Sequence, residues 1–223
     1  MNHAMPLLSR RRAAVLALVL AAAIALALVV VSLVVASKPA DAAAFKTVTK
    51  SFSNATQITI PDDPTYYTSG AAFPYPSIIQ SSFPNGSTVR DVDVILRNYS
   101  HTYPDDVDVL LVHAGRNRTI MSDVGGSNAV NDITIRLNDE AANGQLSDSG
   151  SLFGGGFLPT NAEGGDTFDS PAPNPANANS ALSGFDGSNA KGSWKLFVDD
   201  KGNNNVGRIA GGWTIAVQAR VPV

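Results

Sequence analysis

Two segments near the end of the chain show the clearest alternation of apolar and polar positions. Residues 192–200 and 207–217 each place a Trp and two aliphatic residues on one face, which predicts two strands with one packed face each. The core residues predicted from this alternation are Trp194, Leu196, Val198, Trp213, Ile215 and Val217. Residues 201–206 between them are polar and predict a turn, so the pair is expected to form a hairpin.

The same period-two pattern occurs upstream. The further strand candidates are residues 57–60, 76–80, 89–96, 107–112, 119–121 and 132–137. Residues 138–190 are poor in apolar side chains and predict a long loop, attached to the core at 151–153, 156–158 and 181–185. With no amphipathic helix pattern after residue 45, about eight strands at this spacing predict an all-β sandwich or jelly roll.

The first 42 residues differ in character from the rest. Three arginines at 10–12 precede an apolar run that begins at Ala13, and Ala40-Asp-Ala42 is typical of a cleavage site for export. Residues 1–42 are therefore predicted to be a cleaved signal peptide, and residues 43–223 a secreted, extracellular domain. The apolar run is long enough to span a bilayer, so the alternative is an uncleaved anchor helix with the domain outside.

Composition narrows the classes of partner. The chain has 223 residues and no cysteine, which excludes disulfides, thiolate catalysis and cysteine-ligated zinc. Beyond residue 42, 12 basic and 18 acidic residues remain, and no basic patch is present that could follow a phosphate backbone. Nucleic acid is therefore not an expected partner, and contact with a membrane is expected only through an uncleaved N-terminal segment.

Five segments, taken in order, carry a resemblance to a known family. They are Val-Arg-Asp-Val-Asp-Val at 89–94, Ser-His-Thr-Tyr-Pro-Asp-Asp-Val-Asp-Val-Leu-Leu at 100–111, Leu-Ser-Gly-Phe-Asp-Gly at 182–187, Gly-Ser-Trp-Lys-Leu-Phe-Val-Asp-Asp at 192–200 and Gly-Arg-Ile-Ala-Gly-Gly-Trp-Thr-Ile at 207–215. The region they cover, about 45–220, resembles the P domain, also called the Homo B domain, of kexin- and furin-like proprotein convertases and of bacterial subtilisin-like proteases.

The resemblance implies a jelly-roll β-sandwich and a role beside a protease. In that family the module follows a subtilisin-type serine endopeptidase domain and supports its folding and stability. No such catalytic domain is recognisable in this sequence, so the resemblance implies a non-catalytic module. Its expected partner is a separate subtilisin-like protease or another extracellular protein, which it would stabilise or dock onto.

Catalysis by the chain itself is not expected. A serine hydrolase needs a base beside its nucleophile, and the sequence offers only His3, His101 and His113. His3 lies in the predicted signal, the other two lie at strand ends, and the sequence contains no Gly-x-Ser-x-Gly elbow and no Gly-Thr-Ser turn. Serine endopeptidase activity remains an alternative only through the family association.

Clustered oxygen ligands in two turns make calcium a candidate cofactor. The candidate ligands are Asp105, Asp106, Asp108, Asp199, Asp200, Asn203 and Asn205. Their spacing does not match an EF-hand loop, and the alternative is that Asp and Asn are there as turn formers. A cysteine-free exported domain would gain stability from such an ion.

Four aromatic residues at 66, 67, 73 and 75 suggest a second function. Jelly rolls can hold sugars on a concave face, and loop aromatics can stack on them. A carbohydrate- or other ligand-binding module is therefore the alternative, with Tyr66, Tyr67, Phe73 and Tyr75 as its candidate residues. The competing interpretation is that these side chains cover one end of the sandwich.

Overall fold

The computed structural model describes residues 44–61 and 68–223, and residues 44–223 form one compact unit. The predicted signal or anchor within residues 1–42 lies outside the described residues, as do Tyr66 and Tyr67. In the part that is described, no helix has the length and apolar character needed to cross a membrane.

Strands dominate the described part, which contains thirteen of them and two short 3-10 helices. The strands are β1 (Phe45–Asn54), β2 (Ile58–Ile60), β3 (Gly70–Ala71), β4 (Ser77–Ser81), β5 (Thr88–His101), β6 (Val107–His113), β7 (Arg116–Ser122), β8 (Val130–Leu137), β9 (Gly155–Phe157), β10 (Thr160–Asn161), β11 (Gly192–Asp200), β12 (Gly207–Ile209) and β13 (Trp213–Pro222). The helices are η1 (Pro104–Asp106) and η2 (Leu182–Phe185).

The strands form two mixed sheets. The first runs β1-β13-β5-β8-β9, with β12 beside the end of β5 and β2 beside β12, and only β8 and β9 are parallel. The second runs β10-β7-β6-β11, with β3 and β4 both pairing with β11, and only β10 and β7 are parallel. Side chains of both sheets share one buried cluster, so the fold is an all-β sandwich, as the alternation predicted.

The two tryptophans occupy the centre of this core. Trp194 and Trp213 are both fully buried, and the other four predicted core residues belong to the same cluster. A buried indole N–H needs an acceptor. Trp194 Nε1 donates to Ser81 Oγ at 3.2 Å, and Trp213 Nε1 donates to Ser77 Oγ at 2.9 Å. The first and last residues of β4 therefore accept the hydrogen bonds of both indoles.

The predicted hairpin of the two Trp-led strands is wrong. β11 pairs with β3, β4 and β6 in the second sheet, whereas β13 pairs with β1 and β5 in the first. Residues 201–206 thus carry the chain from one layer to the other. Alternation shows which face of a strand is apolar, and two strands that face each other across a core alternate in the same way as two strands in a hairpin.

The strand count also exceeds the prediction of about eight. The additional strands include β3, β9 and β10, which have two or three residues each and carry no alternation. The strand predicted at 207–217 is divided into β12 and β13. The long loop is attached where expected, because Leu152, Phe157, Leu182 and Phe185 are all buried in the main cluster.

Position 212 requires glycine because of its backbone conformation and because of the close approach of a neighbouring strand. Its φ is +63°, and a Cβ there would overlap the carbonyl oxygen of Asn54 in β1. We expect Gly212→Ala to lower the free energy of unfolding by more than about 1 kcal/mol, measured by urea denaturation. Gly115→Ala is the matched control, since Gly115 has a φ of +76° with nothing within 4 Å. Equal losses in the two variants would show that the overlap with Asn54 has no effect.

Candidate functional site

The predicted calcium residues lie at one end of the second sheet, which we call the acidic end. β6 begins where β11 ends, so Val107 pairs with Asp200 and Asp108 with Asp199. Helix η1 precedes β6 and residues 201–206 follow β11, which brings the remaining candidates to the same end. The structure nevertheless divides them into two groups with different partners.

The first group surrounds the hydroxyl of Ser122, the last residue of β7. Ser122 Oγ lies 2.6 Å from Asp108 Oδ1, 2.8 Å from Asp123 Oδ2 and 3.0 Å from Asp166 Oδ1. One oxygen from each of the three carboxylates falls within 4.8 Å of the others. We refer to Ser122, Asp108, Asp123 and Asp166 as the Ser122 cluster.

Sequence reasoning found only one carboxylate of this cluster. Asp123 follows directly on β7, and its position at a strand end is the one signal that could have indicated it. Asp166 lies in the long loop, and no spacing connects it with Asp108. It is fixed by Asn161 of β10, whose Nδ2 donates to Asp166 Oδ2 at 2.6 Å.

Asp199 and Lys201 adjoin the Ser122 cluster. Lys201 Nζ lies 2.9 Å from Asp199 Oδ2 and 4.0 Å from Asp108 Oδ2, and it donates to the carbonyl oxygen of Thr167. Asp199 Oδ2 also accepts the backbone N–H of Asp169 at 3.0 Å. Asp199 Oδ1 is buried and has no hydrogen-bond partner.

Burial and neighbouring charges make Asp108 an unusual carboxyl. Burial is the main cause that raises its pKa from 3.8 to about 7, and the charge of Asp166 adds to it. The hydrogen bond from Ser122 and the charge of Lys201 act in the opposite direction. Burial also raises the pKa of Asp123, with a further contribution from Asp166. The cluster therefore favours either a bound proton or a bound cation.

Asp108 should make stability depend on pH. Because its pKa is higher in the folded than in the unfolded chain, the folded state binds the proton more tightly between pH 3.8 and about 7. Its contribution to stability is complete below that range and is lost as pH rises through about 7. We expect a slope approaching about 1.4 kcal/mol per pH unit, measured by urea denaturation in EDTA. Asp108→Asn should remove this part of the slope, and an unchanged profile would contradict the assignment.

The second group at the acidic end is a buried histidine–carboxylate pair. His101 Nε2 lies 3.3 Å from Asp200 Oδ2, and both side chains have no exposed surface. The two atoms are close enough for an ion pair but are not aligned for a hydrogen bond. His101 Nδ1 contacts the backbone of Tyr103, 2.8 Å from its carbonyl oxygen and 3.3 Å from its nitrogen. Nδ1 thus contacts the backbone of Tyr103, and Nε2 faces Asp200 inside the protein.

Hydrogen bonds within the protein engage four more of the predicted ligands, and the fifth, Asp105, lies in η1. Asn205 Nδ2 donates to Asp106 Oδ2 at 2.7 Å, and Asn203 Oδ1 accepts the backbone N–H of Ser69 at 3.0 Å. Asp200 Oδ1 accepts the N–H of Gly202 at 2.9 Å. Asn203 and Asn205 thus connect residues 201–206 with Ser69 and with Asp106. Of the seven predicted ligands only Asp108 belongs to the Ser122 cluster.

The serine beside His101 does not form a catalytic pair with it. Neighbouring residues of a strand point to opposite faces, and Ser100 Oγ instead accepts the backbone N–H of Asp132 at 2.8 Å. Ser100, His101 and Asn131 all line a cleft of about 480 Å³. The side chain of His101 nevertheless has no exposed surface, and it contacts Asp200 and Tyr103.

His113 has a structural environment as well. Its Nδ1 lies 2.9 Å from the carbonyl oxygen of Ser193 and its Nε2 lies 2.6 Å from that of Asn189. The ring stacks on Trp194 with centroids 3.7 Å apart and planes 3° apart. The imidazole joins β6, β11 and the segment before β11, and both its nitrogens face backbone acceptors.

Of the four aromatic residues proposed for ligand stacking, the structure describes Phe73 and Tyr75. Phe73 is 66% exposed. Tyr75 instead packs edge-on against Phe197, with centroids 5.0 Å apart, and its hydroxyl donates to the carbonyl oxygen of Asp169 at 2.9 Å.

A second acidic group lies on the outer face of the first sheet, and sequence reasoning missed it as a cluster. Carboxylate oxygens of Asp91, Asp93 and Glu140 lie within 4.8 Å of one another. Arg136 Nη2 binds Asp93 Oδ2 at 2.7 Å and so places a positive charge within the group. Burial is the main cause that raises the pKa of Asp91, and the charge of Asp93 raises it further.

Comparison with known proteins adds no assignment, because no family model, curated protein or solved structure matches this chain.

Proposed function

We propose that residues 44–223 form an exported, non-catalytic module of the P-domain type. In this proposal the module is a jelly-roll sandwich that binds a separate extracellular subtilisin-like protease and stabilises it. The N-terminal 42 residues deliver it across a membrane, either as a cleaved signal or as an anchor.

The five sequence segments that resemble the P domain support this proposal by their position. Residues 89–94 and 100–111 belong to β5, η1 and β6, and residues 192–200 are β11. These strands occupy central positions in both sheets. Three of the five segments therefore include strands at the centre of the fold.

The observation that carries the non-catalytic assignment is the state of the two described histidines. Both are 2% exposed, and the ring nitrogens of each face backbone atoms or the buried carboxylate of Asp200. A general base needs one nitrogen directed at a nucleophile and access to substrate. The burial of both side chains leaves little access to substrate, and this supports the proposal.

A binding experiment tests the proposal. The full-length chain, purified in mild detergent, is used as bait in the secreted fraction of its source, and recovery of a subtilisin-like protease is expected. Adding the chain should lengthen the half-life of that protease during heating, and the chain alone should hydrolyse no peptide substrate. The core variant Trp213→Ala is the control for a disrupted fold. Recovery of no protein partner would contradict the docking role.

The same preparation decides the peptidase alternative. If the purified chain cleaves peptides, and if His101→Ala abolishes that activity while the circular dichroism spectrum is unchanged, the non-catalytic assignment is wrong. The ligand-binding alternative predicts retention on immobilised glycans that is lost in Phe73→Ala.

A further inference from the structure

The Ser122 cluster has an excess of negative charge that its surroundings do not balance. Asp108, Asp123, Asp166 and the adjoining Asp199 bring four carboxylates together, and Lys201 supplies one ammonium. Asp108 and Asp199 are 3% and 1% exposed, so bulk water screens them little. Buried carboxylates in such excess take up a proton or bind a cation.

The hydroxyl at the centre cannot satisfy the three carboxylates. A serine hydroxyl has one proton to donate, yet three carboxylate oxygens lie 2.6 to 3.0 Å from Ser122 Oγ. Two of these contacts bring oxygens together with no proton from the serine between them. An ion that accepts oxygen ligands from all sides would turn this repulsion into attraction.

A separate observation comes from Asp199, which is not a member of the cluster. It lies opposite Asp108 in the register of β6 and β11, and therefore on the same face of the sheet. Asp199 Oδ2 is bound by Lys201 and Asp169, but Oδ1 is buried without a partner. A buried carboxylate oxygen in this state is costly unless a positive group faces it.

We propose that the Ser122 cluster is a binding site for a hard divalent cation, with Ca²⁺ as the preferred ion. Asp108, Asp123 and Asp166 supply one carboxylate oxygen each, and the Ser122 hydroxyl supplies a fourth oxygen. Oxygens within 4.8 Å of one another can share an ion, because Ca²⁺ binds oxygen ligands at about 2.3–2.6 Å. Asp123 and Asp166 are only half-buried, which leaves room for water to complete six to eight ligands.

The site would connect three parts of the chain that are distant in sequence. Asp108 belongs to β6, Asp123 follows β7, and Asp166 lies in the long loop after β10. An ion that binds the folded chain and not the unfolded chain raises the melting temperature. The long loop would gain the most order, since the ion would hold Asp166 directly.

The second acidic group provides a matched control. Asp91, Asp93 and Glu140 also bring three carboxylates within 4.8 Å, but Arg136 already binds Asp93 there. Glu140 is exposed, so Glu140→Gln removes one charge from an acidic cluster without touching the Ser122 cluster.

The test uses the full-length chain in mild detergent, treated with EGTA and then dialysed. Isothermal titration with CaCl₂ gives affinity and stoichiometry, and thermal unfolding with and without CaCl₂ gives the shift in melting temperature. The variants are Asp123→Asn, Asp166→Asn and Glu140→Gln. Asn161→Ala is a fourth variant that keeps every carboxylate but removes the amide bound to Asp166.

We expect one Ca²⁺ per chain and a rise in melting temperature. Asp123→Asn and Asp166→Asn should weaken the affinity by at least about tenfold, Asn161→Ala by about tenfold, and Glu140→Gln by less than about twofold.

The proposal is overturned if the chain binds no Ca²⁺, if both cluster variants bind it as the unsubstituted chain does, or if Glu140→Gln alone removes binding. Should both cluster variants fail to fold, an unchanged affinity in Asn161→Ala overturns it. The pull-down described above does not bear on this result, so the two proposals fail separately.

Discussion

Replacing Trp194 by alanine is expected to lower the free energy of unfolding by about 3–5 kcal/mol. The indole is fully buried, stacks on His113 at 3.7 Å and lies 5.4 Å from the ring of Phe185. Its removal would leave a cavity between β11 and η2 and would also leave Ser81 Oγ without its indole donor. Urea denaturation of the purified chain measures the loss.

Phe73→Ala is the control for Trp194→Ala. Phe73 is also aromatic but is 66% exposed, so its truncation should change the free energy of unfolding by less than about 0.5 kcal/mol. If Trp194→Ala cost no more than Phe73→Ala, the indole would not be at the centre of the core.

Asp200→Ala is expected to be almost as damaging, at about 3–5 kcal/mol. It removes the carboxylate that faces His101 where neither side chain has any exposed surface. The same substitution removes the acceptor of the Gly202 N–H at the start of the crossing between sheets. Urea denaturation measures this loss as well.

A double-mutant cycle with His101→Ala separates the pair from its surroundings. Removing both partners should cost less than the sum of the two single losses, with a coupling of about 0.5–3 kcal/mol. Additive losses would show that His101 and Asp200 do not interact. Asp105→Ala is the control for loss of a nearby charge on η1, and we expect it to stay within about 0.5 kcal/mol because Asp105 is partly exposed.

Alternation predicted the buried faces of the strands in this protein but not the pairing of the strands. The alternation in residues 89–96 puts Val92, Val94 and Leu96 on one face, and all three are buried in β5. The same reasoning placed the two Trp-led segments in a hairpin, whereas they lie in opposite sheets. The alternation along a strand shows which of its two faces is buried. It does not show which neighbouring strand forms hydrogen bonds with it.

The acidic end shows a similar limit. Asp108 could be named as a candidate because it lies among other turn-forming acids, but Asp166 could not. Its place beside Ser122 depends on how the long loop returns to the sheet through β10, where Thr160 pairs with Met121. No local pattern encodes such a return, because a parallel pairing of two residues leaves no periodicity to detect.

The pairing of β1 with β13 has a mechanical consequence. β1 is an edge strand with mostly exposed side chains, and its first residue, Phe45, pairs with Pro222 near the end of β13. A pulling force applied at Phe45 and Pro222 would break the hydrogen bonds between β1 and β13 one pair at a time, beginning at this end. The central strands of both sheets would carry no tension until the peeling was complete, so the first unfolding event under tension should need little force and should release ten residues.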